Sequence, residues 1–503
     1  MCGIAGFCNF KEDFEENTDY WNFRLEKMRA VLAHRGNDAR GRYLKKHIGL
    51  SHSRLAIRDI LCGDQPMTRT HNGYDYTICY NGEIYNTDEL IPELSENGFV
   101  CSTTSDTEVI LYAYIHWGAD FVNRLNGIFA FAIWDAAKNR LLLYRDRVGV
   151  KPLFYALRGD SLVFGSEPKA CFAHPAVKPE LDKQGLQELL AIGPAHTSGL
   201  SLFKDLFEVL PGHFMIYTRD GLHDETYWEL TSSEHTESYQ DTVAHTRFLV
   251  EDAIKRQMVS DVPVCTFLSG GIDSSIVTAI AANYMNTRGK TLNTFSFDFK
   301  DNDRYFKANA FQPERDLPYV NRMLEEYETA HSYLECDENS LFKALFAAVD
   351  AKDMPGMTDV DSSLLYFCSL VSRKNKVALT GECADEIFGG YPWFYRKELL
   401  ERYGFPWSSD VAPRLTLLRD DVGLELDLSG YQALRYEESR SKAPLLYGET
   451  GEDESRRIIG YLNIKWFMQT LLDRMDRTSM YSELEARVSF ADHRIIEYVF
   501  NVP

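Results

Sequence analysis

The sequence predicts an α/β protein in two parts, a strand-rich first portion and a second portion in which strands alternate with helices. Three observations predict it. In 74–83, YDYTICYNGE, the residues Tyr74, Tyr76, Ile78 and Tyr80 alternate with smaller or polar ones, the period-2 pattern of a half-buried strand. Residues 127–146, GIFAFAIWDAAKNRLLLYRD, set a short polar connection between two apolar runs, which predicts a hairpin, and SLVFGSE (161–167) adds a further strand. In the second portion VPVCTFL (262–268) is a buried apolar strand, and IDSSIVTAIAANYMN (272–286) returns Ile272, Ile276, Ile280 and Tyr284 at helical spacing. Between them, WELTSSEHTESYQD (228–241) is polar with little to bury. The expected organisation is a domain over 1–228, a linker over 229–240 and a second domain over 241–503.

Composition narrows the function classes. At 503 residues, 45% hydrophobic and 26% charged, the chain has the length for two or more domains with cores of their own. A net charge of -21 argues against a general nucleic-acid binder, which needs basic surface to replace counterions. The ten cysteines (Cys2, Cys8, Cys62, Cys79, Cys101, Cys171, Cys265, Cys336, Cys368, Cys383) form no C-x-x-C pair, and several lie in apolar runs, as reduced thiols of a cytoplasmic protein do. The opening MCGIAGFCNFKEDFEE lacks the basic and long apolar regions of a signal peptide, and no apolar run approaches the roughly 20 residues that cross a bilayer. A cytoplasmic protein with no membrane and no nucleic-acid partner is expected.

Five separated segments of the first portion carry polar chemistry that strand packing does not demand: MCGIAGF (1–7), HRGNDARG (34–41), SRLAIRD (53–59), YNGEIYN (80–86) and SDTE (105–108). Removal of Met1 would leave Cys2 with a thiol and a free α-amine, with ordinary pKa values of about 8.5 and about 8, so the amine can serve as the thiol's base. Gly3 and Ala5 leave room for a substrate carbonyl. Taken singly, Arg54 with Asp106 could be a surface ion pair and Asn81-Gly82 a turn. Together the ordered set resembles the class II glutamine amidotransferase domain. The resemblance implies Cys2 as nucleophile, with the Asn81 side-chain amide and the Gly82 N–H as oxyanion donors. It implies a glutamine site of Arg54, Ile57, Asn81, Gly82, Glu83 and Asp106, Arg54 pairing with the α-carboxylate and Asp106, helped by Glu83, with the α-ammonium. Asn37 stands where the family has Pro after His-Arg-Gly, a difference expected to affect loop rigidity.

FLSGGIDSS (267–275) lies between the buried strand and the helix. Its glycines let backbone approach a phosphate, the helix N-terminus adds unpaired N–H groups, and Ser269 and Ser274 can donate hydroxyls. It lacks the Lys of a Walker-type loop. The string S-G-G-x-D-S resembles the pyrophosphate loop of ATP pyrophosphatases, and LTGECADEIFGGY (379–391) matches the asparagine synthetase pattern Gly-Glu-x-x-Asp-Glu followed by Gly-Gly-Tyr. By that resemblance Phe267, Leu268, Ser269, Gly270, Gly271, Asp273, Ser274, Phe297, Thr380 and Gly381 bind ATP, Asp273 and Asp385 bind Mg2+, and Glu382 is catalytic at the acyl adenylate, positioning ammonia or taking its proton. Carboxylates crowded among glycines at a strand end are costly unless a cation joins them. LLDRMDRTSMYSELEARVSFADHR (471–494) completes the resemblance, with Ser489 and Ala491 departing from it. Its Arg474, Asp476, Arg477 and Glu485 read as helix-bracing charges.

The chain as a whole is similar to the glutamine-hydrolysing asparagine synthetases. That implies an amino-terminal four-layer αββα sandwich of the N-terminal nucleophile type, then a helix-rich α/β parallel-sheet domain of the ATP pyrophosphatase type. It implies aspartate, glutamine and ATP as substrates, an apolar internal passage for ammonia, and a homodimer, as relatives often are. Segment 350–367 is a candidate acceptor-side region. Members of the family continue beyond VFNVP through a helical segment with a phosphate-contacting lysine, so a missing tail or an incomplete nucleotide site is expected. Two other readings remain: the same chemistry on a different carboxylic acid, and a catalytically dead scaffold. A β-lactam-forming synthetase would leave Cys2, Arg54, Asn81 and Asp106 without purpose.

Overall fold

The computed structural model of the chain describes residues 2–308, 314–408 and 410–503. Strands β1 (Cys2–Asn9), β2 (Ala39–Lys45), β3 (Ile48–Arg54), β8 (Phe154–Arg158), β9 (Ser161–Gly165) and β10 (Phe207–Glu208) form an antiparallel sheet in the order β10-β8-β9-β1-β3-β2. A second antiparallel sheet, in the order β12-β11-β7-β6-β5-β4, comprises β4 (Met67–His71), β5 (Tyr74–Ile84), β6 (Gly127–Asp135), β7 (Arg140–Arg145), β11 (His213–Thr218) and β12 (Gly221–Thr226).

Side-chain alternation along β1 shows how these sheets stack. Ile4 and Cys8 point into a core shared with Cys79, Ala130, Ala132 and Leu143 of the second sheet. Ala5 and Phe7 point the other way, into a core with Trp21, Leu25 and Met28 of helix α1 (Thr18–Ala30). Helices α2 (Thr87–Glu96) and α3 (Asp106–Trp117) cover the outer face of the second sheet through Leu90, Leu94, Ile110 and Tyr114. The layers are therefore α, β, β and α, as the resemblance implied. The hairpin read from 127–146 is β6 and β7, paired antiparallel. The alternation in β5 does not mark a half-buried strand: residues 77–81 are buried on both sides, because an inner strand of such a stack has a sheet on one face and helices on the other.

The second half carries one sheet, β13 (Val264–Phe267), β14 (Leu292–Phe299), β15 (Thr329–Cys336), β16 (Val377–Thr380) and β17 (Glu485–Val488), all pairs parallel, in the order β15-β14-β13-β16-β17. The order grows one way from β13 and the other way from β16, so the switch point lies between them. Ligands of open parallel sheets bind outside the carboxyl ends of strands at such a point. Around the sheet lie α4 (Tyr239–Arg256), α5 (Ile272–Asn286), α6 (Glu338–Lys352), α7 (Thr358–Val371) and α8 (Met468–Met480). Helix α4 starts with Ser238 accepting from the Asp241 N–H, the capping that its Ser–Asp spacing allows.

One apolar cluster spans both halves, joining Leu55, Ile57, Ile128, Val148 and Val150 to Met468, Leu472, Met475 and Val488. All ten cysteines are free. Among the described residues no helix is long and apolar enough to cross a membrane.

Candidate active site

Cys2 opens β1, buried, with Arg54 as its partner across the pairing with β3. Its backbone nitrogen donates to Asn81 Oδ1 at 2.9 Å, and its carbonyl accepts from Arg35 Nε at 3.1 Å. Asn81 is fully buried in β5, and with Oδ1 so engaged its Nδ2 has no hydrogen-bond partner. A buried amide donor left unpaired costs about 1–3 kcal/mol, and a developing oxyanion would satisfy it. Gly82 has φ +157, and a Cβ there would lie 2.1 Å from the Ile128 carbonyl oxygen, so only glycine lets β5 close on β6 at this place. Burial raises the Cys2 thiol above its ordinary pKa, opposed in part by the Leu55 N–H and by Arg54. Met1 lies outside the described residues.

The other residues of the glutamine set surround this point unevenly. Arg54 pairs with Asp64 at 2.9 Å and donates to the Ile60 and Asp59 carbonyls, holding the 58–64 loop. Asp106 accepts from the Tyr80 hydroxyl at 2.8 Å and the Ile84 N–H at 3.0 Å. Its position follows from the SDTE segment: Ser105 caps α3, and the buried Glu108 ties down the 102–103 loop through Ser102 and Thr103. Ile57 belongs to the cluster between the two halves. Glu83 Oε1 lies 3.6 Å from Arg487 of β17, and Glu83 Oε2, Tyr85 OH and Arg487 Nη2 are buried without hydrogen-bond partners. Burial, then the charges of Asp106 and Glu485, raise the Glu83 carboxyl well above the usual carboxylate range.

The Gly-rich loop and the acidic loop leave neighbouring strands on the two sides of the switch point. Ser269 Oγ and Ser274 Oγ are 3.0 Å apart, and Ser274 Oγ donates to the Gly271 carbonyl, closing the turn into α5. A Cβ on Gly381 would lie 2.8 Å from the Ser274 nitrogen, so the two loops pack backbone to backbone only with glycine there. Thr380 is buried at the end of β16, its hydroxyl accepting from the Glu382 N–H at 3.4 Å. Leu268 donates to the Phe295 carbonyl at 2.8 Å, and Phe267 and Phe297 both pack on Phe367, at 4.6 and 5.3 Å between ring centres. Burial and then the Asp385 charge push Asp273 up to about 6; burial and Glu382 raise Asp385. Neither forms an ion pair among the described residues.

That electrostatic frustration fits a divalent cation. Magnesium takes one or two carboxylates and completes its octahedron with phosphate oxygens and water. Among the described residues no group of three or more His, Cys, Asp or Glu is placed to hold a metal ion. The sequence missed the neighbour of Glu382: Arg474 Nη2 donates to Glu382 Oε1 at 2.8 Å.

Only part of the apolar repeat of α5 faces the core: Ile280 and Tyr284 pack against it, while Ile272 and Ile276 are exposed. Ile272 is 78% exposed, and Ile272, Ile276 and Ile280 line a cleft of about 1420 Å³ that also holds Asp273, Gly271 and Asp385. Val277, Ala281 and Ala282 face the sheet instead. Small residues let the helix sit close to β13, and the larger side chains then wall the cleft.

Of the charges read as helix braces, Glu485 lies on strand β17 and pairs with Arg487, and those on α8 reach beyond their own helix. Asp476 accepts from Arg35 at 2.8 Å and from Lys151 at 2.9 Å, two buried cations of the first half. Arg477 pairs with Asp353 at 3.0 Å and lies 3.6 Å from Glu167. Asn37, in place of proline, donates to Glu483 across the same boundary. Breaking a buried pair typically costs about 3–5 kcal/mol. No local pattern announces these contacts, because each joins residues more than a hundred positions apart.

A buried cysteine at position 2 beside an amide with a spare donor, together with a Gly-rich loop at a parallel-sheet switch point, defines the class: a two-centre amidotransferase. Residues 1–228 match the glutamine amidotransferase domain and residues 245–503 the asparagine synthase family. The chain is 48% identical over 504 residues to asparagine synthetase [glutamine-hydrolyzing] 3 of Bacillus subtilis, covering 100% of this chain and 81% of that protein. It is 29% identical to asparagine synthetase [glutamine-hydrolyzing] 1 of the same organism, with 100% and 81% covered. Amidase chyE of Penicillium rubens is 28% identical, with 100% and 82% covered. The chain belongs to the glutamine-hydrolysing asparagine synthetase family.

Proposed function

We propose that this protein makes asparagine from aspartate, taking nitrogen from glutamine and energy from ATP, and releasing glutamate, AMP and pyrophosphate. The observation that carries the reading is the Cys2–Asn81 pairing with its spare buried donor, in a chain that matches the family from end to end. With Met1 removed, the nitrogen now bonded to Asn81 becomes the α-amine that takes the thiol proton. Cys2 Sγ attacks the glutamine side-chain carbonyl, Asn81 Nδ2 and the Gly82 N–H receive the oxyanion, and ammonia leaves with the transferred proton. Water then cleaves the thioester to glutamate.

Glutamine's charged end is assigned to Arg54, Asp106 and Glu83, with Ile57 against its stem. An arriving ammonium would let Glu83 ionise. In the second half, residues 267–271, Asp273 and Ser274 with Phe297, Thr380 and Gly381 hold the nucleotide. Asp273 and Asp385 would hold Mg2+, which supplies charge neutralisation on the phosphates when bound. The aspartate β-carboxylate displaces pyrophosphate from ATP, ammonia attacks the resulting acyl adenylate, and AMP leaves. Glu382, oriented by Arg474, receives the proton that ammonia gives up. The working location is the cytoplasm, where the ten free thiols stay reduced.

The test is pyrophosphate release with ATP, Mg2+, glutamine and aspartate, with asparagine identified by mass spectrometry. Pyrophosphate appearing with a different carboxylic acid but not with aspartate would move the acceptor. The whole-length match to an amidase is the observation that keeps that second reading in play.

A further inference from the structure

We infer that Asp476, on the synthetase-side helix α8, is a positioning residue for the Cys2 nucleophile, acting through Arg35, and that α8 couples the two centres. The inference rests on the function proposed above and adds a residue and a route to it. The Arg35 guanidinium faces three ways: Nε to the Cys2 carbonyl at 3.1 Å, Nη1 to Glu167 of the first half at 2.8 Å, and Nη2 to Asp476 at 2.8 Å. Lys151 Nζ takes the other Asp476 oxygen at 2.9 Å. Arg35 and Lys151 are fully buried and Asp476 nearly so, so water cannot stand in for a lost partner. Without the second half, Arg35 would be drawn to Glu167 alone. The peptide carrying Cys2 would then lose the donor that fixes its rotation, and with it the aim of the thiol at the substrate carbonyl.

The same helix reaches the other centre. Arg474 lies two positions before Asp476, on the opposite side of the helix by helical geometry, and grips Glu382 at 2.8 Å. One position after Asp476, Arg477 donates to the Ala351 carbonyl and Asp353, at the start of the candidate acceptor-side segment. The helix runs unbroken for 13 residues, roughly 20 Å, so it can link the two centres. When ATP and the acceptor acid fill the site beside Glu382, the shift in its pair with Arg474 is delivered through α8 to Asp476, Arg35 and Cys2, so glutamine is opened when an acceptor is ready. Rigid elements with two discrete arrangements are the physical carriers of such coupling.

The experiment compares wild type with Asp476→Asn in the full chain, measuring glutamate from glutamine and, separately, pyrophosphate release driven by added ammonia. The variant is expected to lose about tenfold or more in glutaminase kcat with little change in KM, while ammonia-driven release stays within about twofold. It should also lose the rise in glutaminase rate that ATP and the acceptor acid together produce in wild type. Unchanged glutamine hydrolysis, equal loss of both activities, or no such rise in wild type would overturn the inference. Should Asp476→Asn fold poorly, Arg35→Lys keeps a cation for Asp476 but removes the Nε–H to Cys2, and must show the same split; retained glutaminase activity there would overturn it equally. Wild-type protein that hydrolyses no glutamine would instead overturn the functional reading beneath it.

Discussion

The surroundings of Cys2 and of Asp273 solve opposite problems. Around Cys2 the buried charges are matched: Arg35 with Glu167 and Asp476, Lys151 with Asp476, and Arg487 with Glu485. Beside the Cys2 nitrogen itself, Asn81 Nδ2 is a neutral donor with no hydrogen-bond partner. Around Asp273 the excess is charge, with Asp385, Glu382 and Glu386 near one another and Arg474 paired with Glu382. Burial first, and then Glu382 and Asp385 against the Tyr391 hydrogen bond, take Glu386 up to about 7. The first site is assembled before its substrate arrives. The second carries an excess of carboxylate charge, which the proposed cation and polyphosphate would relieve in a chain of net charge -21.

The contrast breaks most sharply at Cys2. Cys2→Ala is expected to remove glutamine-dependent synthesis by about 10⁴-fold or more while leaving ammonia-dependent synthesis intact. Assaying both nitrogen sources on one preparation checks it, and loss with ammonia as well would mean the two centres are not separable. Asn81→Ala should lower glutaminase kcat by roughly 10²–10³-fold, with a smaller effect on KM, because the donor acts on charge that exists only in the transition state. Steady-state glutamate formation reads it, and a pure KM effect would make Asn81 a ground-state ligand.

In the second region, Asp385→Asn is expected to slow pyrophosphate release by about 10²-fold or more and to spare glutamine hydrolysis. Added Mg2+·ATP should raise the melting temperature of wild type and fail to do so in the variant; equal stabilisation of both would remove Asp385 from the metal site. The smallest effect concerns the matched charges. Burial depresses His196, but the Glu208 carboxylate 3.0 Å away overcomes this and raises it to about 9. A raised histidine stabilises the fold fully below its unfolded pKa of about 6.5, and that contribution is lost as pH rises through about 9, on the order of 1–3 kcal/mol. Chemical denaturation of wild type and His196→Gln from pH 6 to 10 should show the steeper fall in wild type, and parallel curves would exclude the pair.

What was legible followed from locality. Strand alternation in 74–83, the 127–146 hairpin and the Gly-rich turn before α5 are short-range patterns, and each appears where the sequence places it. The candidate groups Cys2, Asn81 and Gly82 come together because β1 and β5 face each other in the stacked sheets. What stayed hidden is non-local. Ile272 and Ile276 look like core in a helical projection, yet wall a cleft, because the side that packs is chosen by which side fits closely rather than by which is greasiest. Arg474, Asp476 and Arg477 look like ordinary salt bridges within a helix, yet their partners are Glu382, Arg35, Lys151 and Asp353.

The acid at 476 also limits how such a molecule can be taken apart or recombined. Arg35 and Lys151 are interior residues of the amino-terminal portion whose counter-ion is lent by the carboxyl-terminal portion. A gene fusion that kept the first portion and exchanged the second would leave Lys151 without this carboxylate and Arg35 with Glu167 alone, unless the newcomer supplied a carboxylate at the same place. The halves are thus bound to inherit together, and their boundary is a seam rather than a hinge.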